Sequence, residues 1–228
     1  MPPPGRTCRD ALQTKYKDVD VAALEKVMLC GVCPPICRMD ASLGTLRACR
    51  HLALSTNTID KIGSLSGLEN LEVLSLGRNS LKRLDGLEAV GSTLKELWVS
   101  YNNIDRLAGI EHAPNLEVLY MSNNCVRDWS EIDRLAALPR LRDLVLEGNP
   151  LHAAARSAGT LAQYRAEISR RLPHLAKLDG RPVDLEEERE EEREEGREEG
   201  REKKPQAAQA SPAVQSAAAT ATTLSVAG

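Results

Sequence analysis

The fold of this chain is decided by the stretch Leu94-Lys95-Glu96-Leu97-Trp98-Val99-Ser100-Tyr101-Asn102-Asn103-Ile104. Apolar residues occupy its first, fourth, sixth and eleventh positions, and asparagine occupies the ninth. The same frame recurs along the chain, with its asparagines at Asn57, Asn79, Asn102, Asn124 and Asn149. The steps between these asparagines are 22, 23, 22 and 25 residues. Five occurrences in one frame at a nearly constant period indicate a repeated structural unit.

The frame is the consensus of a leucine-rich repeat, in which each unit adds one short strand to a parallel sheet. Upstream, Leu24, Val27 and Leu29 match the first three framework positions, but Val32 stands where asparagine is expected, which indicates a degenerate first repeat. The sequence therefore predicts an α/β fold, a leucine-rich repeat solenoid with about six repeats of ~22 residues over residues 23–151 and a parallel sheet on its concave face.

The segments that follow the strands have their own periodicity. Their apolar residues recur every three positions, as in Ile104, Leu107 and Ile110. This spacing favours a tight 3₁₀ or single-turn return over a long α-helix. The side chains of the framework asparagines are expected to satisfy backbone groups at the corner between strand and return. Trp129 takes a framework position of one return and is expected in the core.

An N-terminal cap is predicted over residues 1–22, because an uncapped solenoid exposes its core. Residues 1–6 are proline-rich and are expected to be disordered. Thr7 followed by Asp10 resembles a capping box, which predicts a short helix through about Tyr16.

Residues 152–184 are predicted to form the C-terminal cap. Thr160 and Gln163 resemble a second capping box, and Pro173 would end the helix that they start. One face of this helix is expected to be buried, and it comprises Leu161, Tyr164, Ile168 and Leu172.

Composition changes in the tail, residues 185–228. Between Glu186 and Lys204 there are eleven Glu against four Arg and two Lys, and residues 205–228 carry no charge. The whole chain has a net charge of −3, so residues 1–185 carry about +2. We expect the charged part to be a solvated, partly helical extension and the Ala/Ser-rich end to be disordered. A contact with a basic partner is the alternative for the charged run.

The rest of the composition limits the location and the partners. No apolar run approaches the ~18 residues of a membrane span, and the first six residues lack the apolar core of a signal peptide. A cytosolic location with reduced cysteines and no membrane association is therefore expected. The nearly neutral body argues against a nucleic-acid partner, which would call for a basic patch.

Strand side chains alternate between two faces, so the residues between framework leucines point to the concave face. In aligned repeats this brings together an apolar surface, with Tyr101 at its rim, that we call the sheet-face patch: Val73, Trp98, Tyr101, Val118, Tyr120 and Val145. Glu96, Asp143 and Glu147 surround it. The chain has two Trp, four Tyr and no Phe, and three of these six large aromatics, Trp98, Tyr101 and Tyr120, lie where the core does not need them. This predicts a protein-binding site; the alternative is that β-formers simply cover the sheet.

No catalytic site and no cofactor or metal site is predicted. Cys30, Cys33 and Cys37 have a spacing that invites a zinc hypothesis, but a fourth ligand would have to be Cys49 or His51, one repeat away. A redox role for Cys30 and Cys33 lacks the thioredoxin context. The four histidines are scattered, and no glycine-rich phosphate loop follows a strand. A non-enzyme is expected.

Several segments closely resemble the leucine-rich repeat light chains of axonemal dynein. They include Cys49–Asn57, Leu74–Asn79, Glu96–Asn102, Val118–Asn124, Gly148–Leu151, Arg171–Pro173 and Leu178–Gly180. The block Ser100-Tyr101-Asn102 with Tyr120-Met121-Ser122-Asn123-Asn124 is more specific than a generic repeat. The resemblance covers roughly residues 10–184. The long tail after residue 185 and the charge of Arg181 depart from it.

The resemblance implies a non-catalytic regulatory light chain of the ciliary outer dynein arm. It implies binding to the microtubule-binding end of a dynein heavy-chain stalk, an association with tubulin, and a location in the cytoplasm, the cytoskeleton and the axoneme of cilia or flagella. The sheet-face patch and the C-terminal segment from Arg181 to Asp184 would face these partners. The alternatives are another repeat adaptor, such as a phosphatase-targeting subunit, and a splicing-type scaffold that helps bind RNA through a partner.

Overall fold

The strands predicted from the repeated frame form one sheet. The computed structural model describes residues 5–183. Each repeat contributes a three-residue parallel strand, and these are β2 (Lys26–Met28), β4 (His51–Ala53), β5 (Val73–Ser75), β6 (Glu96–Trp98), β7 (Val118–Tyr120) and β8 (Asp143–Val145). The cap extends this sheet with the parallel β9 (Lys177–Leu178) and the antiparallel β10 (Arg181–Pro182). The predicted α/β leucine-rich repeat solenoid is confirmed.

Neighbouring strands pair without any shift in register. Val73 lies opposite Glu96, which lies opposite Val118, and Trp98 lies opposite Tyr120. The middle residue of each strand, such as Leu97, is fully buried, while the residues on either side of it are on the other face. Because side chains alternate along a strand, the framework leucines enter the core and the columns between them line the second face.

The framework asparagines connect successive repeats. Asn102 Nδ2 donates to the carbonyls of Leu76 and Val99, and its Oδ1 accepts the N–H of Leu81. The same three-way pattern recurs at Asn57, Asn79, Asn124 and Asn149. The predicted role is confirmed: each amide satisfies backbone groups that no ladder partner reaches.

The returns are mostly tight turns, with 3₁₀ segments at Ala41–Thr45, Ile110–His112 and Leu135–Ala137, and a further 3₁₀ segment, Val21–Ala23, precedes β2. One return contains a true α-helix, α2 (Trp129–Arg134). It lies in the longest interval between framework asparagines, from Asn124 to Asn149, which has room for the extra turn. The expectation that Trp129 is in the core was wrong in degree, because this side chain is half-buried and packs against the edge of the core.

Helix α1 (Cys8–Lys15) covers the first repeat, as predicted. The Thr7 hydroxyl accepts the N–H of Asp10, and the Asp10 carboxylate accepts the N–H of Thr7, so the capping box is complete. Residues 1–4 of the segment expected to be disordered lie outside the described residues, whereas Arg6 starts the short strand β1 (Arg6–Thr7). This strand pairs in parallel with β3 (Ile36–Arg38), which gives its backbone groups a partner.

The C-terminal cap contains two helices, α3 (Pro150–Ala158) and α4 (Leu161–Arg171), of which only the second was predicted. The capping box at Thr160 was wrong. Its hydroxyl donates to the Ala155 carbonyl 3.3 Å away, because Gly159 has just turned the chain out of α3. Leu161 is 37% exposed and does not belong to the buried face, which consists of Tyr164, Ile168 and Leu172.

The charged and Ala/Ser-rich segments of the tail lie outside the described residues, and so do the predictions made for them. Within residues 5–183 no helix is both long enough and apolar enough to cross a membrane.

Candidate functional site

The centre of the sheet's second face is a pair of stacked aromatic rings. Trp98 on β6 and Tyr120 on β7 are directly opposite in the ladder. Their ring centroids are 6.1 Å apart and their planes differ by 20°. Both rings are half-buried. The stack covers part of each ring and leaves the rest accessible, and it holds both in fixed orientations.

Polar groups hold each ring at its outer end. Trp98 Nε1 donates to Glu96 Oε2 at 3.1 Å, and Tyr120 Oη donates to Asp143 Oδ2 at 3.2 Å. Lys177 Nζ lies 3.4 Å from the same Asp143 oxygen. The other carboxylate oxygen, Oδ1, is buried and has no hydrogen-bond partner among residues 5–183. The patch therefore combines an apolar centre with a carboxylate that holds the Tyr120 phenol and lies beside the Lys177 ammonium.

A histidine that sequence reasoning left out of the patch closes its other side. The imidazole of His51 on β4 meets Trp98 edge to face, with 5.7 Å between ring centroids. Its Nε2 is buried and has no hydrogen-bond partner in the described part of the chain. Burial and the nearby Lys26 charge lower the pKa of His51, while Glu96 acts in the opposite direction. The lowered pKa favours a neutral imidazole that packs as an aromatic ring.

The phenol of Tyr120 is held in its protonated state. Burial, and then the negative charge of Asp143, raise the pKa of Tyr120 above its ordinary value. The phenol therefore stays protonated at physiological pH and can donate its hydrogen bond to Asp143.

The three predicted valines lie around the aromatic pair. Val73 and Val118 flank Glu96 in one register row, and Val145 is opposite Tyr120 in the next. All three are half-buried. Together with Trp98 and Tyr120 they form an apolar surface across four strands, β5 to β8, in which Glu96 lies between Val73 and Val118.

Tyr101 lies at the edge of this surface, where the chain turns after β6. Its side chain is 49% exposed and its backbone is left-handed, with φ of 59°. The guanidinium carbon of Arg78, at the same position of the preceding repeat, is 4.4 Å from the centre of its ring. Arg78 was not predicted as a site residue, although its position directly before Asn79 aligns it with Tyr101.

The C-terminal residues predicted for the site are more distant. Arg181 is on β10 opposite Leu178, so β9 separates it from the β8 residues of the patch. Asp184 lies outside the described residues. The structure thus assembles six of the eight predicted residues and places Arg181 at the far edge of the same sheet.

The cysteines provide no comparable cluster. Cys30 and Cys33 are exposed, Cys37 is partly buried and Cys49 is buried, and all six cysteines are free thiols. Between residues 5 and 183, no three His, Cys, Asp or Glu side chains are arranged to hold a metal ion.

Comparison with known proteins identifies relatives of this chain. A family model described as leucine-rich repeat matches residues 44–209. Dynein axonemal light chain 1 of Chlamydomonas reinhardtii is 59% identical over 183 residues, which are 79% of this chain and 92% of that protein. The protein of the same name from Danio rerio is 60% identical over 71% of this chain and 83% of its own length. For the one from Homo sapiens the identity is 58%, over 70% of this chain and 82% of that protein.

Among solved structures, a chain of the Drosophila melanogaster SNF/U2A′ complex is similar, with a TM-score of 0.52 and 27% identity over 60% of this chain and 79% of that chain. A leucine-rich repeat protein of Leptospira interrogans has a TM-score of 0.50 at 21% identity, over 63% of this chain and 34% of that chain, and shows the fold alone.

Proposed function

Because this chain belongs to the dynein axonemal light chain 1 family of leucine-rich repeat proteins, we propose that it is a non-catalytic regulatory light chain of the ciliary outer dynein arm. Its partner is a dynein heavy chain, which it binds at the microtubule-binding end of the stalk. Its location is the axoneme of cilia or flagella, within the cytoplasm and cytoskeleton. Association with tubulin or microtubules follows as a second contact.

The observation that carries this proposal is the Trp98–Tyr120 stack on the sheet face. Aromatic side chains that are fixed in place lose little conformational freedom when a partner covers them, which is why Trp and Tyr are frequent in binding hot spots. Val73, Val118 and Val145 extend the surface. An apolar partner segment would fit this face.

Regulation would come from a difference in affinity. A light chain shifts the motor between two states only if it binds them with different free energies. A rigid repeat surface clamped near the track-binding end can favour one conformation of that end, and this changes how often the motor attaches to its filament. The family relationship extends over most of the chain, which favours this function over a generic phosphatase-targeting adaptor or a splicing-type scaffold.

The binding test uses Trp98→Ala and purified heavy-chain fragments, one with the stalk tip and one with the tail. Wild-type protein is expected to bind the stalk-tip fragment, and Trp98→Ala should weaken this by about 30-fold, equivalent to about 2 kcal/mol. The substitution should lower the free energy of unfolding by about 1–2 kcal/mol, because it removes two aromatic contacts of a half-buried ring. Binding to the tail fragment alone would contradict the stalk assignment. Binding to neither would mean that only the repeat architecture is shared.

The regulatory part has a separate test. The stalk-tip fragment is sedimented with microtubules in the presence and absence of the light chain. A change in the fraction bound, which Trp98→Ala abolishes, supports modulation of the track interaction. An unchanged fraction at saturating light chain would reduce the proposal to simple attachment.

A further inference from the structure

We infer that Arg78 and Tyr101 form a second contact for the dynein heavy chain, in which the stacked Arg78 guanidinium receives an Asp or Glu side chain of the partner. This inference rests on the proposed function and adds the chemistry of the partner at one edge of the patch. The acidic side chain of the heavy chain lies next to the apolar heavy-chain segment that covers Trp98 and Tyr120.

The two residues occupy equivalent corners of adjacent repeats. Each stands directly before a framework asparagine, where the chain leaves its strand. The Arg78 N–H donates to the Ser100 carbonyl and the Tyr101 N–H donates to the Ser122 carbonyl, both at 2.8 Å. Each corner is thereby tied to the next repeat, which imposes a left-handed backbone with φ of 55° at Arg78 and 59° at Tyr101.

A tyrosine is a costly residue at such a corner. The left-handed conformation suits glycine, and it is tolerated by asparagine better than by bulky residues. Three other repeats use compatible residues at the same position, namely Gly31, Asn123 and Gly148, whereas Thr56 and Arg78 share the strained backbone of Tyr101. Strain retained by a side chain is a reason to look for a function of that side chain.

The strain is not explained by packing of the core. Of the chain's two tryptophans and four tyrosines, all of which lie within residues 5–183, Tyr101 is the one classed as exposed. Its ring covers the guanidinium of Arg78 instead, with 4.4 Å between the guanidinium carbon and the ring centre. Stacking on a ring fixes a long side chain that would otherwise sample many rotamers.

The charge of Arg78 is not compensated locally. Its guanidinium makes no ion pair and no side-chain hydrogen bond with any residue from 5 to 183. The other corners at this position, Gly31, Thr56, Asn123 and Gly148, carry no charge. The N–H groups of a guanidinium lie in its own plane, and those that the Tyr101 ring does not cover can give a carboxylate two parallel hydrogen bonds. Charge complementarity therefore favours an acidic side chain.

The experiment measures affinity for the stalk-tip fragment, its salt dependence and the thermal stability of four variants. Arg78→Ala removes the guanidinium, and Arg78→Lys keeps the charge without the planar fork. Tyr101→Asn introduces the residue that the next repeat uses at the same corner. Thr56→Asn is the matched control. The backbone of Thr56 is also left-handed, with φ of 59°, but Thr56 is neither aromatic nor charged.

We expect Arg78→Ala to weaken binding by about 10-fold and to make the affinity less sensitive to salt, since one charge-assisted contact is lost. Arg78→Lys should recover only part of the affinity. Tyr101→Asn should also weaken binding while its Tm stays at or above that of wild type, because the strain is relieved. Thr56→Asn should hold or raise Tm and leave the affinity unchanged.

Wild-type affinity and salt dependence in Arg78→Ala would overturn the contact while leaving the proposed function intact, provided that Trp98→Ala still impairs binding. Equal losses in Arg78→Ala and Thr56→Asn would also overturn it, since they would show a general sensitivity of the corners. If wild-type protein does not bind the stalk-tip fragment at all, the proposed function fails, and the Arg78 contact fails with it.

Discussion

At the scale of single residues, the buried asparagines are the most demanding positions of this fold. Asn102 is 6% exposed and makes hydrogen bonds with three backbone groups from two repeats. A backbone group that is buried without a partner costs far more than an ordinary hydrogen bond contributes. Leucine at such a position would fill the space and satisfy none of these groups, which explains why the repeat requires an amide.

Asn102→Ala is therefore expected to lower the free energy of unfolding by about 3 kcal/mol, because it leaves several buried backbone groups unsatisfied. The exposed neighbour Asn103 is the control, and Asn103→Ala should change stability by less than about 0.5 kcal/mol. Urea denaturation followed by circular dichroism measures both. A loss below about 1 kcal/mol for Asn102→Ala would contradict a structural role for its side chain.

Asp179, directly after the framework Leu178, also has a left-handed backbone, with φ of 50°. Asp179 Oδ1 accepts the N–H groups of Leu146 and Glu147 at 2.7 and 2.8 Å. Burial nevertheless raises the pKa of Asp179 above its ordinary value, and these bonds, together with His152 and Arg165, compensate only in part. A raised pKa in the folded state means that the associated stability is present at acid pH and is lost as pH rises through that pKa.

Asp179→Asn should consequently be at least as stable as wild type at neutral pH, since the amide oxygen can still accept both hydrogen bonds. The difference should shrink as pH falls into the ordinary titration range of aspartate, where the wild-type carboxyl is protonated in both states. Denaturation midpoints at several pH values test this. An advantage for the mutant that grows towards acid pH would contradict the sign of the shift.

At the scale of elements, the C-terminal cap is held by contacts between helices that are distant in sequence. The ring centre of Trp129 on α2 lies 6.0 Å from that of Tyr164 on α4. The guanidinium carbon of Arg171 lies 5.2 Å from the centre of the Trp129 ring. Arg171 also pairs with Asp133 of α2 and with Glu167 one turn earlier. This joins the longest repeat to the cap and covers the last leucines of the core.

Trp129→Ala is expected to cost about 2–3 kcal/mol of stability, at or below the lower end of the range for fully buried tryptophans, because the ring is only half-buried. Leu161→Ala, at an exposed position of α4, should cost less than about 0.5 kcal/mol. The folded Trp129 variant should bind the heavy-chain fragment with wild-type affinity. A stability loss equal to that of Trp98→Ala would contradict the assignment of the two tryptophans to different faces.

At the scale of the whole molecule, the solenoid is a single continuous core with a cap at each described end. Cys8 on α1 and Cys49 before β4 are both inside it, and burial raises the pKa of Cys8 to about 12 and that of Cys49 to about 11. The thiolate is the reactive form of cysteine, so these two thiols are inert as long as the cap stays closed.

Alkylation followed by mass spectrometry tests this at pH ~8. Cys30 and Cys33, which are exposed, should react first. Cys8 and Cys49 should react only as fast as the structure opens, so denaturant should accelerate both. Rapid labelling of Cys8 in native protein, with Cys49 still protected, would mean that α1 detaches independently of the repeats.

Much of this architecture could be predicted from the sequence, because the same local environment recurs in every repeat. The positions of Leu97 and Asn102 determined the strand, its buried side and its corner, and alignment of the frames determined that Trp98 would lie beside Tyr120. Thr7 and Asp10 are three residues apart, so their capping box is local and was equally readable. These features depend on contacts within one repeat or between identical positions of adjacent repeats.

Only the tertiary structure decided the features that depend on contacts between unlike segments. The half-burial of Trp129 depends on Tyr164 and Arg171, and the position of Arg181 depends on β9 extending the sheet beyond the last repeat. The stacking of Arg78 on Tyr101 depends on side-chain conformations at two corners, to which the repeat frame assigns a backbone but no partner. Periodicity determines where the chain turns and which face it buries, whereas the free energy of contacts between distant side chains determines what its surface presents.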